Sequence, residues 1–302
     1  MFNPNETYQR FGRIETANTS DGITNYLVTL SDDTQINIKV LDGKELVIGN
    51  VYSLTFDCKF NGTRNTYTLL DETDVFSCPL NEELYDVFKK FFPYVPIGIE
   101  ALEEKLYSYL KMLKNPVVKA ICDDIFNRYS HDFLIYPAAV KMHHNYIGGL
   151  AYHTLTMCDL AKAFASIYNC VDLDLLIAGV LLHDISKVIE FKSPKDSEYS
   201  IKGQLIGHLV LGAIELEKTA IRLGLLETEE VMLLQHMLIS HHGQPTFGAC
   251  KRPETPEALM LWIIDTIDSK MRVLEEKFEN LEPGTFSEGI AVLDKMKFYK
   301  RK

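Results

Sequence analysis

LLIAGVLLHDISKVIE, residues 175–190, opens with eight apolar or small residues, Leu175 to Leu182, and then delivers His183 and Asp184 side by side. A helix that is apolar nearly all round leaves no face for water, so this one is read as buried. A carboxylate at the end of a buried helix is costly unless positive charge meets it. Adjacent helical residues differ by about 100° in direction, which lets His183 and Asp184 both reach one off-axis ion. Lys187, three residues on, offers the plainer alternative of an ion pair with Asp184.

Outward from this stretch the texture stays helical. Leu84, Val87, Phe88 and Phe91 share one helix face, and Leu102, Leu106, Leu110 and Leu113 share another, with Pro93 and Pro96 between them. The pattern breaks at Pro137, Gly148-Gly149, Pro194, Gly203, Gly224, Gly243 and Pro256. Along it lie eight of the nine histidines, all but His131, between positions 143 and 242. His153 sits near the start of one helix, His208 opens another, His241 and His242 close a third ahead of Gly243, and Asp265 follows the apolar turn Leu261–Ile264. A single histidine of this kind is most often a hydrogen-bonded core or surface residue, and His131 and His236 are read that way. An ordered set of His, His-Asp, His, His-His and Asp on successive helices reads instead as metal ligands facing one cavity.

Residues 8–74 read differently, as period-two alternation: Tyr26, Val28, Leu30; Ile36, Ile38, Val40; Tyr52, Leu54, Phe56. Turn chemistry at Ser31-Asp32-Asp33, Asp42-Gly43, Ile48-Gly49-Asn50 and Asn61-Gly62 divides this segment into about five strands. The fold class expected is α+β in two domains, a small OB-like β-barrel at 1–75 and an all-helical domain at 76–302.

Composition narrows the function classes. The chain has 302 residues, 46% apolar and 24% charged, which is globular and not disordered. No apolar stretch approaches the roughly 20 residues that span a bilayer, and MFNPNETYQRFGR carries no apolar segment behind its charges, so a cytoplasmic protein without membrane contact is expected. The six cysteines form no CxxC pair and read as reduced, mostly buried side chains. The formal charge of −11 argues against coating nucleic acid by bulk electrostatics. The basic end Lys295, Lys297, Lys300, Arg301 and Lys302 reads as a solvated tail.

The order H…HD…D resembles the HD-domain superfamily of metal-dependent phosphohydrolases. The runs HHNYIGGLAYHT (143–154), LLIAGVLLHDISKVIE (175–190), IKGQLIGHLVLG (201–212), LQHMLISHHG (234–243) and IIDTIDSKM (263–271) are similar, in order and spacing, to the YhaM family, also described as CMP-binding factors. These are bacterial 3′-to-5′ exoribonucleases with an OB-fold domain ahead of the HD domain. The resemblance implies that His153, His183, Asp184 and Asp265 hold a first ion, and that His208, His241 and His242 hold a second, with Asp184 bridging. It implies that Lys187 faces the substrate phosphate and that His143 and His144 contact substrate. A guanosine tetraphosphate hydrolase of the superfamily would show an ED pair after the His-Asp, and a cyclic-di-GMP phosphodiesterase a GYP motif after the double histidine. This chain has Ile185-Ser186-Lys187 and Gly243-Gln244-Pro245 at those places.

The activity expected is hydrolysis of single-stranded RNA or DNA from a free 3′ end to 5′-mononucleotides, catalysed by Asp184 and Lys187 with two divalent ions. Mn is expected first, and mixed imidazole and carboxylate ligands also accept Fe, Co, Zn or Mg. Two alternatives stand beside it: a phosphohydrolase acting on small or cyclic nucleotides, and a non-catalytic nucleic-acid-binding regulator. One feature of residues 1–75 cuts against RNA binding there: eleven acidic residues against six basic ones. Tyr26, Phe56, Phe60 and Tyr67 could stack on bases, but alternating aromatics belong more often to a core.

Overall fold

The computed structural model describes residues 2–20, 22–41, 43–139, 146–195 and 198–302. The chain divides into two compact units, Met1–Pro93 and Tyr94–Lys302.

In the first unit the alternating segments form β1 (Glu6–Ser20), β2 (Ile23–Leu30), β3 (Gln35–Val40), β4 (Val51–Phe60) and β5 (Asn65–Asp74). They close into a barrel in the order β1-β2-β3-β5-β4, antiparallel except where β3 meets β5 at Ile38–Tyr67 and Lys39–Thr68. Closure removes every sheet edge. It relies on the length of β1, whose first half pairs with β4 and second half with β2, the register shifting between Ile14 and Thr16. A bulge at such a point lets one strand serve two neighbours at a barrel corner. The alternation puts Ile14, Val28, Leu30, Ile38, Leu54 and Phe56 wholly inside. Two of the aromatics weighed as stacking platforms, Tyr26 and Phe56, are core residues, and the Tyr26 hydroxyl accepts a hydrogen bond from the Leu46 amide at 3.1 Å. Phe60 is exposed and Tyr67 half-buried. Helix α1 (Glu82–Phe91) belongs to this unit, with Lys90 donating to the Ser31 carbonyl at 2.8 Å in the β2–β3 turn.

The second unit contains α2 (Ile99–Met112), α3 (Pro116–Ile135), α4 (Gly149–Ala165), α5 (Leu173–Leu182), α6 (Lys187–Glu190), α7 (Ile201–Ile206), α8 (His208–Leu223), α9 (Glu229–Ser240) and α10 (Pro256–Glu279). As its composition dictates, α5 is the buried centre, with every residue from Leu175 to Leu182 inside and α3, α4, α9 and α10 packed around it. Asp172 caps its N-terminus by accepting from the Leu175 amide at 2.8 Å, and His183 is its C-cap.

Two sequence expectations need correction. Gly203 does not interrupt a helix but lies inside α7, where a Cβ would stand 2.2 Å from the Glu190 carbonyl oxygen. The residue is small because two backbones meet there, not because the chain turns. Lys300 is not part of a solvated tail. Its ammonium donates to the Phe278 carbonyl and to that of Leu281 at 2.7 Å, satisfying the C-terminal end of α10. The C-terminal segment is further held by Ile290 and Leu293, buried against Val273 of α10.

Among the described residues, no helix is long and apolar enough to cross a membrane.

Candidate metal centre

Three helix ends and two helix interiors converge on Asp184. His153 comes from the second turn of α4, His183 from the C-cap of α5, and Asp265 from the middle of α10. Their ligand atoms lie within 4.8 Å of one another, and so, separately, do those of His208 at the start of α8 and His241 and His242 at the end of α9. Asp184, in the turn between α5 and α6, stands between the two groups. Its Oδ2 is 3.2 Å from His183 Nε2, and its Oδ1 is 3.4 Å from His208 Nε2 and 3.7 Å from His241 Nε2. One carboxylate therefore presents one oxygen to each group.

The other nitrogen of every one of these imidazoles is occupied. Nδ1 of His183 donates to Val180 O at 2.7 Å, that of His241 to Leu238 O at 2.7 Å, and that of His242 to Phe247 O at 2.9 Å. His153 Nδ1 lies 2.7 Å from Asp268 Oδ2, and His208 Nδ1 lies 3.0 Å from Glu190 Oε1, which also accepts from the His208 amide at 3.0 Å. A carbonyl or carboxylate on Nδ1 holds the proton there and leaves the Nε2 lone pair facing the cluster. Asp268 and Glu190 were not singled out from the sequence, although Glu190 is a carboxylate set into an apolar run, Val188-Ile189-Glu190-Phe191, and both are buried.

The donor set fits divalent cations. Nε2 of His183, His208 and His241 and Oδ1 of Asp184 are buried with no hydrogen-bond partner among the described residues. Acceptors crowded together in this way repel one another unless a cation lies among them. Titration follows the same logic. Burial raises Asp184, but Lys187 and His183 overcome it and hold the carboxyl well below the usual range. Burial likewise raises Asp265, and His153 brings it down. Burial lowers His153, yet Asp265 and Asp268 on its two sides lift it to about 9, so without a cation Nε2 also carries a proton, which a bound ion would displace. His241 and His242 are both lowered, first by burial.

Lys187 donates to Asp184 Oδ2 at 2.6 Å and to Ala138 O at 2.7 Å. The ion pair considered from the sequence is thus present, and it keeps the ammonium charged despite burial. It does not account for Asp184 by itself, since Oδ1 has no hydrogen-bond partner among the described residues. Lys187, Asp184, His153, His242 and Asp265 line a cavity of about 170 Å³. His143 and His144 lie outside the described residues. His236 stands apart from the cluster, its Nε2 accepting from the Glu254 amide at 2.9 Å, and His131 pairs with Asp132 at 3.2 Å.

Residues 150–270 match the HD domain. The match spans His153, His183, Asp184, Lys187, His208, His241, His242 and Asp265, every clustered residue named from the sequence. The helical unit thus carries an HD domain, which implies a metal-dependent phosphohydrolase, and a five-stranded closed barrel precedes it. No solved structure matches the chain.

Proposed function

We propose that the chain is a metal-dependent 3′-to-5′ exoribonuclease related to the YhaM family, taking single-stranded RNA or DNA 3′ ends and releasing 5′-mononucleotides. In this reading the barrel within residues 1–75 is the OB-like domain and the helical unit from Tyr94 onward is the catalytic domain. His153, His183, Asp184 and Asp265 hold one divalent ion and His208, His241 and His242 the other, with Asp184 shared and Mn the first choice of metal. The observation that carries the hydrolytic reading is the shared carboxylate, whose two oxygens each face one histidine group beside a lysine ammonium. The choice of an exonuclease within the superfamily is supported by the five motif runs and by the barrel ahead of the HD domain.

Paired divalent ions supply positive charge to the phosphoryl oxygens and lower the pKa of the attacking water. The chain's own residues do the rest. Asp268 and Glu190 keep the protons of His153 and His208 on Nδ1, so their Nε2 atoms stay available as donors of electron pairs. Among the described residues Lys187 uses two of its three N–H groups, on Asp184 and Ala138, and the third is left for a phosphoryl oxygen as negative charge builds there. Attack of water on phosphorus breaks the bond to the 3′-oxygen of the preceding nucleotide, which leaves with a proton as the new 3′-hydroxyl. On the barrel, Lys39, Arg64 and Tyr67 line a polar concavity of about 860 Å³, so an otherwise acidic domain has basic and aromatic groups together on one face.

The experiment is incubation of the purified protein with a 5′-labelled oligoribonucleotide and Mn²⁺, with and without chelator, beside a 3′-phosphorylated control. A chelator-sensitive ladder shortening from the free 3′ end is expected. Asp184→Ala should lose both metal and activity, and a variant keeping its metal and about a tenth of its rate would overturn the assignment. The modest 170 Å³ cavity and the −11 charge favour a second reading, a phosphohydrolase of small nucleotides. An intact oligomer alongside hydrolysed mononucleotides or cyclic nucleotides would select it.

A further inference from the structure

His242, Asp265 and Ser269 line not only the small cavity at Asp184 but also a second of about 690 Å³. The two therefore adjoin, with these three side chains between or beside them. The smaller lies below the roughly 300–1,000 Å³ of ligand pockets and the larger within that range. A phosphoryl group fits the first, while a nucleoside needs the second.

The larger cavity runs between α10 and the C-terminal segment, with Phe247, Trp262 and Lys270 on its walls and Val292 at its far side. Trp262 is held in a fixed pose. The left-handed turn at Gly243, φ 75°, brings that residue against the indole, where a Cβ would stand 2.0 Å from Cε2. The turn that ends the His241-His242 pair thus also braces an aromatic ring beside it. Phe247 leaves 67% of its surface exposed, so its ring is open to a ligand in the groove. Val292 is kept in place because the neighbouring Leu293 is buried against Val273 and Ile290.

Resting on the exonuclease reading above, we propose that this groove receives the nucleotide on the leaving-group side of the scissile linkage. Its base stacks on Trp262 and Phe247, and its 5′-phosphate meets Lys270. The direction follows from chemistry. Lys270 lines the larger cavity and not the smaller one at Asp184, and it stands five residues beyond Asp265, about 7.5 Å along the helix axis, so it is placed for a second phosphate and not for the one being cleaved. Only the leaving-group side carries a second phosphate, because the other side ends in the free 3′-hydroxyl. Aromatic stacking accepts any base, as processive removal of nucleotides requires.

Trp262 is the only tryptophan of the chain, so its emission reports on this groove alone. The test is fluorescence titration of the metal-loaded full-length protein with an oligoribonucleotide made resistant by a phosphorothioate at its last linkage. Saturable quenching is expected. It should disappear when the penultimate residue is abasic and persist when the terminal residue is. Trp262→Leu should raise KM for RNA roughly tenfold with little change in kcat, and Trp262→Phe should recover most of the loss. Lys270→Ala should weaken oligonucleotide binding several-fold. If Trp262→Leu fails to fold, the titration of the unsubstituted chain still decides. Unchanged emission while the oligonucleotide inhibits hydrolysis, or dependence on the terminal base instead, overturns the proposal. RNA shortened without quenching overturns the groove and leaves the exonuclease standing. Quenching that needs the penultimate base, with unmodified RNA left uncleaved, keeps Trp262 as a base-binding surface but overturns the leaving-group-side assignment together with the exonuclease reading.

Discussion

Asp268 illustrates what a single side chain contributes without being a metal-ligand candidate. Its Oδ2 lies 2.7 Å from His153 Nδ1, and its Oδ1 is 3.7 Å from Arg272 Nε, whose guanidinium stacks 4.4 Å from the Tyr152 ring centroid. The carboxylate is thus held in place, and it in turn holds the imidazole. Outer partners of this kind are typically worth about 10- to 100-fold in metal affinity. Asp268→Ala is expected to weaken one ion by that factor and leave the other unchanged, as read by titrating metal-stripped protein. Asp268→Asn, which still offers an oxygen to Nδ1–H, should recover part of the loss; equal losses in both variants would argue for a charge effect instead. The histidines and Asp184 were legible from residue type and order. Asp268 and Glu190 were not, because which nitrogen of a histidine points inward depends on neighbours supplied by other parts of the chain.

At the scale of elements, the positions of whole helices fix where the ligand candidates stand. Gly203 of α7 lets that helix lie on the backbone of Glu190, the residue that holds His208. Gly203→Ala would push backbone against backbone. A loss of about 1–3 kcal/mol is expected, seen as a lower Tm, together with weaker binding of the ion assigned to His208, His241 and His242. A variant that melts like the parent would show that the two segments can part freely. Helix α8 is also tied to α3 by Asp124, which accepts from Arg222 Nε at 3.1 Å and from Arg128 Nε at 3.1 Å. The Arg222 hydrogen bond is the main cause of a carboxyl pKa below the ordinary value. A depressed folded-state pKa contributes stability above the unfolded value near 3.9, and that contribution fades as pH falls through and below it. Asp124→Asn should therefore melt below the parent at pH 7, with the gap narrowing from about pH 4 downward. A gap independent of pH would assign the loss to packing. The helices themselves were legible from apolar spacing, whereas Gly203 reads in sequence as a breaker because the segment it touches is more than ten residues away.

For the whole molecule, the charge of −11 repels a polyanion at long range, so substrate must be caught by local contacts. If only Lys187 and Lys270 meet phosphates, the affinity for single-stranded RNA should fall with a log–log salt slope of about −1.4 or less. A much steeper slope would bring the barrel's Lys39 and Arg64 into the interface. Period-two alternation before residue 75 and the 3.6-residue period after it were enough for the two kinds of domain, since each reflects how a chain buries one face of a regular element. The order of His, His-Asp, His, His-His and Asp likewise follows from the chain alone, because ligand chemistry is a property of residue type. Barrel closure through the parallel β3–β5 contact, the meeting of both histidine groups on one carboxylate, the protons held on Nδ1 and the groove beside Trp262 were decided only by the tertiary structure. Each depends on distances between residues far apart in the chain, and packing sets those distances where local pattern carries no record of them.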